Sequence, residues 1–506
     1  MDEVIAHTRQ GALRGERQPG GCVFRGIPFA RPPVGPRRFM PPEPPEMWTG
    51  VRDATSFGPV AMQIPTVLET ERGLPTKMSE DCLSLNIWAP ELSENLAEAL
   101  PVIVWIHGGS FVNGSGAIPW YDGSSLAARG DVVVVTINYR LGVFGYLSLA
   151  EFDDQYDRSG NLGLLDQVAA LSWIQENVAA FGGDPNRVCA VGESAGAMSI
   201  GTLLSTRAAE GLFQRAILQS GTPVAQAAER AERTTKDLFA ALDIDRDDTG
   251  LACLKALAAE DILNAAAQMA IRRMTAGDGD ADAFPWSPVI DGVVVEGDPM
   301  ESGTNSRVPV LIGTTRDEMR IMRVLFPERP PLDLPQLEDQ VGALCGPLRD
   351  DILHAYAARN PSATPDDLWD AIASDRVFGL PTADFIDQRV KNEAPTWTYL
   401  FNWTSAARGG IYGSAHTVEI PFVFDTFDAP GVADFLGRPR SATEGLAARV
   451  QQAWVSFARD GFPSADGLPE WPPCGSSTRP TMVFDVECVL NETPDGRIRA
   501  LWTRCM

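Results

Sequence analysis

One stretch of this chain constrains its fold more than any other. Val188-Cys-Ala-Val-Gly-Glu-Ser-Ala-Gly-Ala-Met-Ser199 runs from an apolar strand through a Gly-x-Ser-x-Gly turn into the start of a helix. A strand that reverses directly into a helix crowds its own backbone. Gly192 and Gly196 are therefore read as the residues that let the turn close, with Ser194 strained between them. The Ser194 hydroxyl then stands exposed at a sheet edge and at a helix N-terminus, where developing negative charge is favoured. A pattern this short recurs by chance in a chain with 46 glycines, so its meaning depends on what the other segments bring to it.

The length, 506 residues, admits several domains. No internal repeat or low-complexity linker divides the chain, so a single domain spanning 1–506 is expected. Asp and Glu outnumber Lys and Arg by 67 to 42, a net charge of -25, and no basic run stands out. Nucleic acid and anionic membrane are thereby excluded as expected partners. The N-terminal residues carry acids and no apolar signal region, and the longest apolar runs, such as Val132-Val-Val-Val-Thr-Ile137, are the length of a strand. A cytoplasmic location is expected. Eight cysteines are scattered without C-x-x-C spacing, which predicts free buried thiols and no metal site.

Short alternating runs at Val4–Thr8, Ala12–Arg17 and Cys22–Ile27 predict an antiparallel edge, followed by a proline-dense surface wrap from Arg31 to Pro45. Further strands are predicted at Leu83–Trp88, Val102–Ile106, Val132–Ile137, Ala216–Gln219, Pro309–Ile312 and Thr396–Phe401. Helical periodicity over Leu162–Ala180 stops at Gly182-Gly-Asp-Pro185. Strands alternating with helical patterns imply an α/β fold, a mostly parallel sheet with helices on both faces. The alanine-rich segment 223–285 is read as a lid or pocket-wall insertion. Leu446, Val450, Trp454 and Phe457 form one apolar stripe, read as core packing.

A serine hydroxyl is a poor nucleophile until a base takes its proton and a carboxylate orients that base. The chain has four histidines. His7 lies in the N-terminal edge, His107 opens a glycine loop, and His354 sits in a helical run. His416 lies in a loop past the late strand Thr396–Phe401, where such a base would be delivered. After the strand between serine and histidine, Val310-Leu-Ile-Gly-Thr-Thr-Arg-Asp-Glu318 ends in two carboxylates, and composition does not choose between Asp317 and Glu318. The order serine, acid, histidine is that of the α/β-hydrolase fold. Backbone donors for an oxyanion are expected from the Ala195 amide and from His107-Gly-Gly-Ser110.

Together these segments resemble the type-B carboxylesterase and cholinesterase family over essentially the whole chain. The resemblance rests on Phe24-Arg-Gly-Ile-Pro-Phe-Ala30, Ser79-Glu-Asp-Cys-Leu-Ser-Leu-Asn86, His107-Gly-Gly-Ser-Phe111, Asn138-Tyr-Arg-Leu-Gly-Val-Phe-Gly-Tyr146, Asn161-Leu-Gly-Leu-Leu-Asp-Gln167, Gly192-Glu-Ser-Ala-Gly196 and Gln219-Ser-Gly221, in that order. It implies an α/β-hydrolase fold with lid-like insertions and a serine carboxylesterase that works through an acyl-enzyme. The triad it implies is Ser194, Glu318 and His416, with Gly109, Ser110 and Ala195 as oxyanion donors. It also implies structural ion pairs Arg38–Glu80 and Arg140–Asp166, no cofactor, a small-molecule ester as substrate, and a monomer or homodimer.

The departures bear on substrate. Ser110 stands where the family usually has glycine or alanine. Cys82 and Cys253 lack the partners found in secreted relatives, in keeping with a reducing compartment. No aromatic residue lies between Phe57 and Trp88, where cholinesterases hold a quaternary ammonium by cation–π attraction. Ile321 and Met322 are aliphatic where cholinesterases have aromatic residues, and Ala227 replaces an acyl-pocket tryptophan, leaving Phe284 as a candidate wall. A relatively open, aliphatic-lined acyl pocket is expected. Two other readings stand beside it: a carbamate, amide or activated aryl-ester hydrolase with the same triad, and a non-catalytic cholinesterase-like binding module.

Overall fold

The computed structural model describes residues 3–91, 98–276, 285–438, 440–491 and 496–505. Its N-terminal margin is a meander of β1 (Glu3–His7), β2 (Ala12–Gln18) and β3 (Gly21–Pro28), with β4 (Val51–Asp53) beside β2. The main strands are β5 (Ser84–Ala89), β6 (Leu100–Ile106), β7 (Val133–Ile137), β8 (Gly183–Glu193) and β9 (Arg215–Gln219). A separate ladder joins β10 (Gln226–Ala227) to β11 (Val289–Ile290). The main sheet then continues with β12 (Val310–Thr315), β13 (Thr396–Phe401), β14 (Thr481–Phe484) and β15 (Val489–Asn491).

The order across the main sheet is β1-β2-β3-β5-β7-β6-β8-β9-β12-β13-β14-β15. Every neighbouring pair from β7 to β14 is parallel, and antiparallel pairs close both margins. Parallel strands need covering on both faces, and the side chains show how that is done. Along β8, Val188 and Ala190 enter one apolar cluster with Leu164, Leu171, Ile174 and Ile200. Cys189 and Val191 point the other way, into a cluster with Val450, Trp454 and Phe457. The predicted stripe of Leu446, Val450, Trp454 and Phe457 is the buried face of the helix Glu444–Asp460. This is the arrangement expected of an α/β-hydrolase.

The predicted strands lie within a few residues of the observed ones. The proline-dense segment is irregular apart from a single turn at Gly35–Arg37, yet it does more than wrap the surface: Arg38 and Phe39 are buried. Segment 223–285 is helical over Ala228–Ala241, Asp248–Ala256 and Ala259–Ala276. Phe284 lies outside the described residues. Those helices bury Leu238, Phe239, Leu254 and Ile262 in a third cluster shared with Phe111, Ala195 and Met198. None of the eight cysteines is in a disulfide; Cys22, Cys82, Cys189 and Cys345 are buried, but Cys253 is exposed, against the expectation of burial. Among the described residues no helix is long and apolar enough to cross a membrane.

Candidate active site

Register brings the carboxyl ends of the strands that carry the serine, the acid and the glycine loop together. Ile106 pairs with Gly192, Glu193 with Gln219 and Gly313 with Gln219. The segments that leave β6, β8, β9 and β12 are therefore neighbours, and the loop after β13 reaches the same edge. Ser194 has φ 54° and ψ -125°, the strained conformation expected of it, and its amide donates to the Gln219 carbonyl at 2.9 Å. The flanking glycines serve close approach, not left-handed backbone. A Cβ on Gly196 would lie 1.9 Å from the Ile106 carbonyl oxygen, and one on Gly192 would lie 2.6 Å from the Gly196 carbonyl carbon.

The choice left open between two carboxylates is made by direction. Glu318 Oε2 accepts from His416 Nδ1 at 2.6 Å. Its other oxygen accepts from the Ser220 hydroxyl at 2.6 Å and from the Thr315 amide at 2.7 Å. Asp317 points elsewhere and fastens the histidine loop: its amide donates to the Ser414 carbonyl and its carboxylate accepts from the Ser414 amide, both at 2.9 Å. Burial opposes the Asp317 charge, but Arg316 and the Ser414 amide outweigh it and hold the carboxyl below its usual range. Gly413, with φ 57°, is required here, because a Cβ would sit 2.3 Å from the Asp317 carboxylate.

Three buried glutamates surround His416. Besides Glu318, Glu193 Oε1 lies 3.0 Å from Nε2, and the buried Glu419 follows His416 across a turn. Burial disfavours the imidazolium, but Glu193 and Glu318 outweigh it and raise the His416 pKa well above 6.5. Glu419 is the group that gives way. Burial first, then the charges of Glu193 and Glu318, push it up to about 8. Its Oε1 accepts from Gln219 Nε2 at 3.2 Å, and Gln219 is held by Trp454 Nε1 at 3.0 Å. The Phe378 ring lies 4.9 Å from the His416 ring, presented by a π-turn, Asp375–Gly379. No hydrogen bond joins Ser194 to His416 in this resting geometry, where Nε2 faces Glu193; such bonds often tighten only with substrate in place.

The loop after β6 lies against the serine turn: a Cβ on Gly108 would lie 2.9 Å from Ser194 Cβ. Gly109 has φ 114° and Ser110 φ 53°, and among the described residues neither amide meets a backbone acceptor. Ala195 opens the helix Ala195–Leu203, where first-turn amides have no intrahelical partner. His107 braces this loop instead of serving as a base. Nδ1 donates to the Gly108 carbonyl at 2.8 Å, the ring stacks on Tyr139 at 4.5 Å, and burial pushes its pKa down to about 4. His7 and His354 are exposed.

This geometry has a match along the full chain. The model of the carboxylesterase family aligns with residues 2–495. The chain belongs to the carboxylesterase family. It is 37% identical to the para-nitrobenzyl esterase of Bacillus subtilis, covering 99% of this chain and 98% of that one. It is also 37% identical to the phenmedipham hydrolase of Pseudarthrobacter oxydans, covering 92% of each. A crystal structure of the Geobacillus stearothermophilus carboxylesterase superposes with a TM-score of 0.86 at 40% identity, over 98% of this chain and 99% of that one. The activity of this carboxylesterase is therefore the hydrolysis of carboxylic esters, on an α/β-hydrolase fold.

Both ion pairs implied by the resemblance are made. Arg38 Nε donates to Glu80 at 2.7 Å, and the buried Arg140 meets Asp166 through Nε at 2.8 Å and Nη2 at 2.7 Å. The pocket candidates separate. Ile321 is buried and Met322 half-buried beside the cluster holding Trp120 and Tyr121, whereas Met319 joins Phe111, Trp286 and Phe378. Ala227 is exposed on β10, paired with Ile290, and takes no part in the buried wall. Sequence reasoning assigned no role to Glu193, Gln219, Ser220, Phe378 or Glu419. The first three lay inside quoted motifs, and Glu419 lies one turn past His416, but nothing in the sequence pointed to Phe378.

Proposed function

We propose that Ser194 is the nucleophile of this esterase, His416 its general base and Glu318 the carboxylate that orients the imidazole. The observation that carries the reading is the buried Glu318–His416 hydrogen bond of 2.6 Å, with His416 Nε2 3.0 Å from Glu193, the residue before a serine with φ 54°. His416 Nε2 turns from Glu193 to the Ser194 hydroxyl and takes its proton as Oγ attacks the ester carbonyl. The amides of Gly109, Ser110 and Ala195 hold the oxyanion. Nε2 then protonates the departing alcohol, leaving an acyl-serine that water hydrolyses with the same base.

On substrate range, we propose an acyl side that takes butyryl and benzoyl groups as readily as acetyl. Met198, Met319, Phe111, Phe378 and Trp286 pack in one apolar cluster with Ala195, and the helices Ala228–Ala241, Asp248–Ala256 and Ala259–Ala276, which pack into the same cluster, serve as its lid. The missing partner of Cys82 supports a cytoplasmic site of action, and a monomer or homodimer suffices, since all the proposed residues come from one chain. The test is stopped-flow release of p-nitrophenol from acetyl, butyryl and benzoyl esters. A burst equal to the enzyme concentration, lost in Ser194→Ala, supports the acyl-enzyme; equal slow rates in both proteins sink it. A strict preference for acetyl esters sinks the acyl-side reading alone.

A further inference from the structure

The backbone next to His416 carries a strain that the triad itself does not explain. Thr417, the following residue, is buried and has φ 74°. Among the described residues it is the one β-branched residue in the left-handed region, where a branched side chain crowds its own backbone. Such a conformation persists only where the surroundings over-determine it. The chain beyond Thr417 is anchored: the Ile420 amide donates to the Thr417 carbonyl at 3.1 Å, and the helix Ile420–Phe424 buries Phe422 and Phe424 completely. Any relaxation of φ at Thr417 is therefore taken up on the side of His416.

The side chain that meets Thr417 comes from far along the sequence. Arg72 ends the short helix Val67–Glu71, with its amide on the Leu68 carbonyl at 3.0 Å, and its Nη2 donates to the Thr417 hydroxyl. The guanidinium is buried, its central carbon 4.2 Å from the centre of the Trp120 ring. Trp120 is fixed in turn, its Nε1 donating to the Pro430 carbonyl at 2.7 Å. Among the described residues Arg72 makes no ion pair with a carboxylate, and its Nε meets no acceptor. Burying a cation in this way is unfavourable, and a methionine would cover Trp120 without that penalty. What the cation adds is a charge-assisted hydrogen bond with a fixed direction, and that bond goes to Thr417.

We infer that Arg72 is a positioning residue for ester hydrolysis: its hydrogen bond holds Thr417 in the left-handed region and so fixes the His416 imidazole against Glu318. Stacking on Trp120 aims the guanidinium, and the bond to the hydroxyl holds the strained backbone. The inference rests on His416 as the general base. Because Arg72 acts through Thr417, its loss slows the chemical step and leaves substrate binding unchanged.

The test is a double-mutant cycle read by steady-state hydrolysis of p-nitrophenyl butyrate, with rates expressed per folded molecule from far-UV circular dichroism. Arg72→Met keeps the contact with Trp120 and removes the donor. It should lower kcat by about 10- to 100-fold, the scale of a misplaced catalytic group, with KM within about twofold of the parent. Thr417→Val keeps the β-branch and removes the acceptor, and should show the same fall even if Arg72→Met does not fold. Glycine adopts a positive φ without strain, so in a Thr417→Gly background Arg72→Met should lower kcat by less than about threefold. An equal loss in both backgrounds would make Arg72 a packing residue and overturn the inference, as would a parental kcat in Arg72→Met or Thr417→Val, or a change confined to KM. His416→Gln separates this inference from the assignment beneath it. If His416→Gln keeps the acylation burst, the base assignment fails and the positioning role with it; if it loses the burst while Arg72→Met keeps the parental kcat, the positioning role alone fails.

Discussion

Replacing Ser220 by alanine tests whether the orientation of Glu318, and not merely its presence, governs the rate. The Ser220 hydroxyl is one of two donors to Glu318 Oε1; the other is the Thr315 amide, and both bonds are buried. A hydrogen bond to a charged group contributes about 1.5–3 kcal/mol. At about 1.4 kcal/mol per factor of ten, a loss expressed wholly in the transition state lowers kcat/KM by roughly 10- to 100-fold. The substitution is well controlled by the backbone: at φ 51°, serine and alanine carry the same Cβ strain, and the Ser220 amide keeps its bond to the Gly313 carbonyl. Only the hydroxyl is removed. Glycine at 220 relieves the strain but also lacks the hydroxyl, so it should be as slow as alanine. The assay is steady-state hydrolysis of p-nitrophenyl butyrate with active sites counted from the burst. The fall should appear in kcat, with KM little changed. A value within about twofold of the parent, or recovery in Ser220→Gly, would refute the reasoning.

Removing the acid itself should cost far more. Glu318→Gln places an amide opposite Nδ1, favours the wrong tautomer, and should lower kcat by about ten-thousand-fold, the loss known for an acid-to-amide change in a serine-protease triad; a loss under about tenfold would move the orienting role elsewhere. Because Glu193 and Glu318 favour the imidazolium, the neutral base exists only above the raised pKa of His416, so kcat/KM should rise with pH through a midpoint above 6.5. Glu193→Gln removes one of those carboxylates and should move that limb to lower pH; a limb that stays put or moves upward counts against the geometry. Asp166→Asn leaves the Arg140 guanidinium buried and half-paired and should cost about 3–5 kcal/mol of stability in urea unfolding, with activity per folded molecule retained. An unchanged urea midpoint would show that the pair adds nothing.

What the sequence made legible follows the range of each interaction. The strand–turn–helix at Ser194 is local: apolar residues, two glycines and a serine lie within one short stretch, and the observed backbone has the strain that spacing demands. The strands of the parallel sheet could be read because burial on both faces leaves unbroken apolar runs such as Val132–Ile137. β4, β10, β11, β14 and β15 could not, being short and at margins or apart from the main sheet.

The choice between Asp317 and Glu318 was hidden for a different reason. Their neighbours on the chain are the same, and the difference is the direction each takes after β12, which the Ser414 contacts and the Thr315 amide decide. The same holds, more strongly, for the charge around His416. Glu193 is adjacent to the serine, Glu318 follows β12 and Glu419 follows the histidine; only the register of β8, β9 and β12 converts three separate carboxylates into one buried set. Within that set, burial and the charges of Glu193 and Glu318 raise the pKa of Glu419, whereas both oxygens of Glu318 are hydrogen-bonded. Sequence motifs thus name the groups that can react, while the sheet decides which of them are charged when they do.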